Sequence, residues 1–290
     1  MTLRPITITH TDHLWHEPFL RFVPRIFPRI TFRGWHEHGG WDDRYTVFAM
    51  ADGDEIVASA SLYRMPLVLQ AQPLQGFQLG SVGTLPEHRG RGLQQQVMPR
   101  LLEHTSADDL VFLFANHHVL DFYPRFGFER VHEHLFRVEL SARPEGAPLR
   151  ALDIASADDR ALMLRLAKGA QPVTTLFGAR DYGTVVLWYW SNLYPKGLRY
   201  SAELDVIFAV EQSGELLRVY DVLASAPLDL AAQLPRLISS PISAVELGFT
   251  PARYFPNASP KADYTDSPLF VRGPHRLPGE PFKFPMLAQT

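Results

Sequence analysis

The chain has no cysteine in its 290 residues. Disulfides, thiolate nucleophiles and cysteine-ligated zinc are therefore excluded. It has no basic excess either: 28 Lys and Arg stand against 31 Asp and Glu, a formal net charge of −3. Nucleic-acid binders ordinarily carry a surplus of positive charge, so that class is disfavoured. No apolar run approaches the ~20 residues needed to cross a bilayer, and Met1 to His16 lacks the hydrophobic core of a signal sequence. The expectation is a cytoplasmic protein that engages neither nucleic acid nor membrane, with its oligomeric state unread. No His-Glu-x-x-His, Gly-x-Ser-x-Gly or phosphate-loop Gly-Lys-Ser/Thr occurs.

What is present is a globular composition, 46% hydrophobic and 20% charged, on a length that suits about two domains. One stretch organises the reading: Gly80-Ser81-Val82-Gly83-Thr84-Leu85-Pro86-Glu87-His88-Arg89-Gly90-Arg91-Gly92-Leu93. It starts as a strand, with β-branched Val82 and Thr84 among small residues, and Pro86 ends that strand. After Gly92 the pattern turns helical, with Leu93, Val97 and Leu101 at four-residue spacing. Glycines let a backbone bend close to an anion. The first N–H groups of a helix lack internal partners, and its dipole favours negative charge there. Arg89 and Arg91 add charge. The stretch reads as a phosphate cradle, with an ordinary tight turn as the alternative.

The surrounding pattern predicts a mixed α/β frame. Thr2 to His10 alternates as a strand. Asp12 to Arg33 is aromatic but interrupted by Pro18, Pro24 and Pro28, which predicts short broken helices. Arg21, Arg25, Arg29 and Arg33 within it read as a solvated face over an aromatic core. Trp35 to Asp43 reads as a polar loop. Arg44–Met50 and Glu55–Tyr63 make a hairpin, with 66–75 as a long connection before the strand that enters the cradle. A helix from 92 to 104, a buried strand at 110–115, a short helix at 119–126 stopped by Gly127, and a strand or pair at 128–140 follow. Ser141 to Pro148 has linker composition. The domains are therefore read as 1–142 and 149–290.

The second half echoes the first. Phe48-Ala49-Met50 with Gly53 and Glu55 is matched by Phe208-Ala209-Val210 with Gly214 and Glu215, and Asp121-Phe122-Tyr123-Pro124 more loosely by Arg253-Tyr254-Phe255-Pro256. Between Glu215 and Leu247 there is no glycine, so the second half cannot repeat the cradle. Ser156-Ala157-Asp158-Asp159 reads as the capped start of a helix, and Thr184–Trp190 as part of another. The proline-rich tail from Pro274 to Thr290 is expected to pack as an extended segment.

A second motif gives the cradle its meaning. Asn116 precedes Tyr123 by seven positions, and Tyr123 leads into Pro124-Arg125-Phe126-Gly127-Phe128. Together with Arg89-Gly90-Arg91-Gly92-Leu93-Gln94, this resembles the GNAT superfamily of acyl-CoA-dependent N-acetyltransferases, over roughly residues 1 to 140. That family pairs an Arg-x-x-Gly-x-Gly/Ala turn with an Asn-(six residues)-Tyr-x-x-x-Gly-Phe segment. Gln94 stands where the family prefers a small residue. The fold implied is the GNAT fold, an α+β mixed sheet, in two tandem copies of which the second is degenerate. The enhanced-intracellular-survival acetyltransferases are such a tandem group. They add a third domain and use a chain-terminal carboxylate; because this sequence stops near the end of its second copy, that role is not carried over to Thr290.

The resemblance implies acetyl-CoA as co-substrate and a primary amine of a small molecule, or less readily a lysine side chain, as acceptor. Backbone groups of Arg89, Gly90, Arg91, Gly92 and Leu93 would hold the pyrophosphate. Val82, Gly83 and Thr84 would pair with the pantetheine arm, Asn116 would stand beside it, and Tyr123 would protonate the leaving thiolate. For the base, Glu37, His36 and Asp42 are candidates in a loop that borders the acceptor site in this fold, with His38, Asp43, His117 and His118 behind them. A cationic acceptor would suit the loop carboxylates. The pairs His36-Glu37-His38 and His132-Glu133-His134 lack a third ligand at a recognised spacing, so no metal is expected. The contrasting class is a non-catalytic acyl-CoA-binding or sensor protein of the same fold.

Overall fold

A computed structural model describes residues 3–262 and 267–290. The first half runs β1 (Leu3–Ile8), α1 (His13–Ile26), α2 (Arg33–Glu37), β2 (Tyr45–Asp52), β3 (Glu55–Leu69), β4 (Gln72–Thr84), α3 (Leu93–Leu102), β5 (Leu110–Phe114), β6 (Glu129–Val131) and β7 (His134–Ala142). The second half runs β8 (Arg150–Ala151), α4 (Ala157–Gly169), β9 (Phe177–Ala179), α5 (Gly183–Asn192), β10 (Leu198–Ser201), β11 (Val206–Ser213), β12 (Leu216–Leu223), α6 (Leu230–Leu237), β13 (Ile242–Leu247), β14 (Ser259–Ala262) and β15 (Leu269–Arg272). Among the described residues no helix is long and apolar enough to cross a membrane.

The strands form two mixed sheets. One has the order β1-β2-β3-β4-β5-β15-β6, with β9 added to β3; the other has β14-β7-β13-β12-β11-β10-β8. Each contains one parallel pair: β4 with β5 across α3, and β12 with β13 across α6. The echo between Phe48-Ala49-Met50 and Phe208-Ala209-Val210 is structural. Both triplets sit in the first strand of an antiparallel hairpin, and both hairpins shift register there, at Met50/Ala51 and at Ala209/Val210.

The boundary at 142–149 does not separate the sheets. β7, read as part of the first domain, lies between β13 and β14 in the second sheet. β15, from the second half, lies between β5 and β6 in the first. Each half thus lends one strand to the other at the equivalent place. A linker-like composition marks a surface turn and carries no information on which sheet the flanking strand joins. The tail completes the exchange. Phe282, Phe284 and Leu287 are buried, with Phe284 packed on Phe112 and Phe177.

Three local readings need correction. Residues 66–75 are not a loop: β3 runs on to Leu69, and a two-residue turn at Gln70-Ala71, both with positive φ, leads into β4. Pro66 is tolerated there because it falls between the end of the β2 ladder at Tyr63 and the start of the β9 ladder at Leu67, and its carbonyl still accepts from the Arg180 N–H at 2.9 Å. The region 13–26 is one helix that contains Pro18 and Pro24. The carbonyls those prolines leave unbonded belong to exposed Leu14 and to Leu20, a loss the packing of Phe19, Phe22 and Val23 outweighs. Residues 119–126 form two 3-10 turns, His117–Val119 and Tyr123–Phe126, with Gly127 (φ +80°) ending the second. The arginines 21, 25, 29 and 33 are exposed, as expected, and Arg25 reaches Glu55 and Glu87.

One buried carboxyl anchors the second half. Asp221 on β12 is fully buried; it accepts from the Tyr182 hydroxyl at 2.8 Å and from the Val222 N–H at 2.8 Å. Tyr182 sits at the start of α5, so this contact ties α5 to the second sheet. Burial pushes the Asp221 carboxyl up to about 7. The sign of the linkage follows: between about pH 4 and pH 7 the folded protein holds a proton that the unfolded chain has released, so stability falls as pH rises through that window. Asp221 alone should contribute a loss on the order of 2–4 kcal/mol between pH 4 and pH 8, read by chemical denaturation as the difference between the wild type and a variant without the carboxyl. Asp221→Asn, which mimics the protonated form, should flatten that slope; parallel pH profiles for the two proteins would contradict it.

Candidate active site

β4 and β5 pair in register only from Gly76–Leu110 to Leu79–Leu113. Beyond Leu79 they part. The cause is on the other side of β4, where its ladder with β3 shifts: Ser61 faces Gly80 but Ser59 faces Gly83, so β4 carries one extra residue. This is a β-bulge, which bends its strand. Ser81 within it has φ +50°. That left-handed conformation is held by the Ser59 hydroxyl donating to the Ser81 carbonyl at 2.8 Å and by a 3.0 Å bond between the Ser81 and Tyr45 hydroxyls. Residues 80–84 therefore present a strand edge with no partner strand on the β5 side.

The cradle follows directly. Pro86–His88 makes one 3-10 turn, and then Gly90 (φ +71°) and Gly92 (φ +68°) take left-handed conformations that a side chain resists. Gly92 caps α3 with no side-chain hydrogen bond, so the first N–H groups of the helix are not satisfied by a cap. A Cβ added at Gly90 would meet nothing within 4 Å, so that face of the turn is open. The Arg89 side chain donates to the Thr84 carbonyl at 3.2 Å, and Arg91 contacts His88. Gln94 folds back onto the strands, its amide donating to the carbonyls of Gly83 at 2.7 Å and Ser59 at 2.9 Å. A long side chain is accommodated at this position because it ties α3 to the bulge.

Two cavities meet at the parting. The outer one, about 950 Å³, lies between Val82–Thr84, Arg89 and Gln94 on one side and Asn116–Val119 and Phe122 on the other. The inner one, about 320 Å³, runs from Leu79–Val82 to α5. Phe27, Val82, Asn116 and Tyr123 line both. Tyr123 is 5% exposed, and burial pushes its hydroxyl up to about 12, so it holds its proton throughout the physiological range. The structure thus brings together Val82, Gly83, Thr84, Arg89, Asn116 and Tyr123, whereas Gly90 to Leu93 line neither cavity and lie in sequence between Arg89 and Gln94, which do.

The loop carboxylates and histidines lie elsewhere. None of His36, Glu37 and Asp42 lines either cavity. The segment is a short helix over a buried indole. Asp42 closes on Arg44 at 2.7 Å. His36 meets His16 at 3.1 Å, and burial together with that neighbour pulls its imidazole down. Glu37 is exposed. The sequence marks these residues as ionisable groups in a polar loop. The helix instead turns Trp35 inward, where its N–H donates to the Thr184 carbonyl at 2.8 Å. His117 and His118 do line the outer cavity. Among the described residues, no three His, Cys, Asp or Glu side chains gather as a metal cluster.

The structure adds residues the motifs did not reveal. Thr184, Val185, Trp188 and Tyr189 of α5 form the far wall of the inner cavity, and Gln289 and Thr290 line it as well. Gln78, fully buried on β4, holds that last stretch: its amide donates to the Ala288 carbonyl at 2.9 Å and its carbonyl accepts from the Thr290 N–H. A Cβ on Gly80 would lie 3.1 Å from the Thr290 hydroxyl. The alternating apolar residues of 282–287 signalled that the tail is buried, but nothing in them gave its destination.

The second half has the same parting and fills it. β12 pairs β13 only as far as Val219–Leu247. Its helix start is capped by the Asp229 carboxylate, which accepts from the Ala232 N–H at 3.2 Å. A fixed negative charge thus occupies the place an anion would take. The chain's own tail enters the gap, where the Met286 N–H donates to the Gly248 carbonyl at 2.9 Å and a Cβ on Gly248 would lie 3.1 Å from the Met286 sulfur.

Residues 19–131 match the family model described as the Acetyltransferase (GNAT) domain. No curated protein sequence matches the chain. Among solved structures, Eis1 from Mycobacterium abscessus superposes with TM-score 0.62 at 15% identity, over 93% of this chain and 73% of that one. A GCN5-related N-acetyltransferase from Kribbella flavida gives 0.56 at 19% identity, over 93% and 72%. One from Anabaena variabilis gives 0.56 at 13%, over 93% and 72%. At such identities the likeness is one of fold, and it extends across both sheets.

Removing the Gln78 amide leaves the Ala288 carbonyl and the Thr290 N–H without their partner. Gln78→Ala should cost about 1–3 kcal/mol in urea denaturation and speed carboxypeptidase release of the last residues. Unchanged release would show that the tail is held by its phenylalanines alone.

Proposed function

We propose that this chain, which carries a domain of the GNAT acetyltransferase family, transfers an acetyl group from acetyl-CoA to the primary amine of a small molecule. The observation that carries this reading is the meeting of two cavities at Tyr123. One lies beside Arg89 and the anion cradle; the other runs inward to a second wall on α5.

The residues fit an acyl-CoA. Gly90, Gly92 and the uncapped start of α3 offer backbone N–H groups and a helix dipole to a pyrophosphate, and Arg89 adds charge at the same turn. The free edge of β4 at Val82–Thr84 can take an extended amide-bearing arm as an added strand. When bound, the thioester supplies the activated acetyl group. An N–H of that same edge polarises its carbonyl, a small oxyanion hole. The amine nitrogen attacks the carbonyl carbon, a C–N bond forms and the C–S bond breaks; the nitrogen loses one proton and the thiolate gains one. Tyr123 supplies the second of these. Burial makes Tyr123 a weaker acid than a thiol, so its O–H acts by hydrogen-bonding the charge that builds on sulfur and gives up its proton only as the C–S bond breaks. The hydroxyls of Ser61 and Ser81 in the inner lining can relay the amine's proton outward through solvent.

Thiol release with acetyl-CoA and a panel of amines tests the reading. The absence of cysteine removes protein background from the assay. Cofactor binding with no release above background would instead assign the chain to the non-catalytic binding class. Tyr123→Phe should lower kcat by an order of magnitude or more while affinity for CoA holds; an unchanged kcat would remove the role. Gly92→Val should act the other way. It forces a β-branched residue into a left-handed turn at about 1–3 kcal/mol and crowds the cradle, so CoA affinity should fall at least ~10-fold in a folded protein. Wild-type affinity in that variant would place the pyrophosphate elsewhere.

A further inference from the structure

Gln94 is the second residue of α3, and it lines the outer cavity beside Val82, Gly83 and Thr84. Its amide nitrogen spans β3 and β4 next to the step where their register shifts. It donates to the Gly83 carbonyl at 2.7 Å and to the Ser59 carbonyl at 2.9 Å, with the Thr84 hydroxyl at 3.3 Å. These oxygens fix which end of the amide is the nitrogen. The other end, Oε1, is then buried with no donor among the described residues. A buried acceptor without a partner is a cost that an apolar side chain of the same length would avoid. Gln94 therefore contributes through its donors. The helix that carries it is firmly seated, with Leu93, Val97, Met98 and Leu101 buried. The strand is held from α1 as well, where a Cβ on Gly83 would lie 2.5 Å from the Ile26 Cγ2.

We infer that Gln94 is a positioning residue that holds the free edge of β4 in register with the anion cradle, so that a ligand gripped at the cradle lays its arm along that edge. This rests on the acyl-CoA reading of the site. The Leu85 N–H donates to the Val57 carbonyl at 2.9 Å, so Leu85 turns its peptide groups to β3. By the two-residue alternation of a strand, Gly83 does the same and Thr84 turns its own away. Gln94 thus fixes the edge through a carbonyl that the arm does not use. The two grips on the ligand sit on different elements, a helix start and a strand edge, and Gln94 ties one to the other. Chemistry at the far end of the arm needs that tie, because a displacement of about 1 Å at the reacting atoms costs on the order of 100-fold in rate.

The test separates the two ends of the ligand by binding. Calorimetry on the full chain compares CoA with 3′-phospho-ADP, which is CoA without its pantetheine arm. In the wild type CoA should bind the more tightly, and the ratio of the two affinities measures the arm. Gln94→Met keeps the length of the side chain without its donors, and Gln94→Ala removes both. Each should cut that ratio at least ~10-fold while the affinity for 3′-phospho-ADP moves less than ~3-fold. In the same variants kcat with acetyl-CoA should fall by ~10- to 100-fold. A ratio unchanged in both variants overturns the inference. So does an equal loss for both ligands, which is what a role in the cradle alone or in general stability would give. A loss in Gln94→Ala but not in Gln94→Met also overturns it, because length and not hydrogen bonding would then be what counts. The ratio decides the point even where no amine is turned over. A wild type that binds neither ligand, or binds both equally, instead removes the acyl-CoA reading itself, and the inference falls with it.

Discussion

The parting of β4 from β5 is the constraint on which the rest of the site depends. Parallel neighbours normally stay paired over their whole length, because a buried strand edge without partners is costly. Here one extra residue in β4, locked by Ser59, Ser81 and Tyr45, bends the strand away after Leu79. The proposed site lies along the resulting opening. The free edge, the cradle at the start of α3, and the Asn116–Tyr123 segment at the end of β5 all follow from it. So does the depth of the inner cavity, because the gap lets α5 close over it from the second half.

The second sheet shows what the same parting becomes without a ligand to fill it. β12 and β13 separate after Val219, and the protein plugs the gap with its own Met286. Asp229 then supplies the helix cap that α3 lacks. The two halves are one architecture resolved in two ways, open where the backbone is glycine-rich and self-filled where it is not. The reciprocal loan of β7 and β15 makes them inseparable. Neither sheet is complete without a strand from the other half, so the second copy persists as a structural necessity while also forming the far wall of the inner cavity.

Much of this was legible in the residues. Strand, glycine turn and helix could be read at 80–102 because each depends on local chemistry: β-branched residues, positive φ, and four-residue apolar spacing. The pairing of Asn116 with Tyr123 likewise rests on spacing within one short segment. The loss of the cradle in the second half followed from a run without glycine. What escaped was long-range. Sheet membership of β7 and β15 is decided by register between segments more than a hundred residues apart, which composition does not encode. Gln78 looked like any polar residue in a strand, yet it is buried because the tail supplies both of its partners. The segment 36–42 is rich in charge, but the fold buries its flanking tryptophans, sets Asp42 against Arg44 and leaves Glu37 exposed.

The central claim is that one acyl-CoA lies along the free edge of β4, with its pyrophosphate at Gly90–Leu93, and that the second half has no equivalent site. Hydrogen–deuterium exchange with saturating CoA tests it directly, because it reads backbone N–H groups one segment at a time. The account predicts new protection confined to 82–84, 90–94 and the 116–123 segment, with 224–232 unchanged. Protection at 224–232, or none at 90–94, would contradict it.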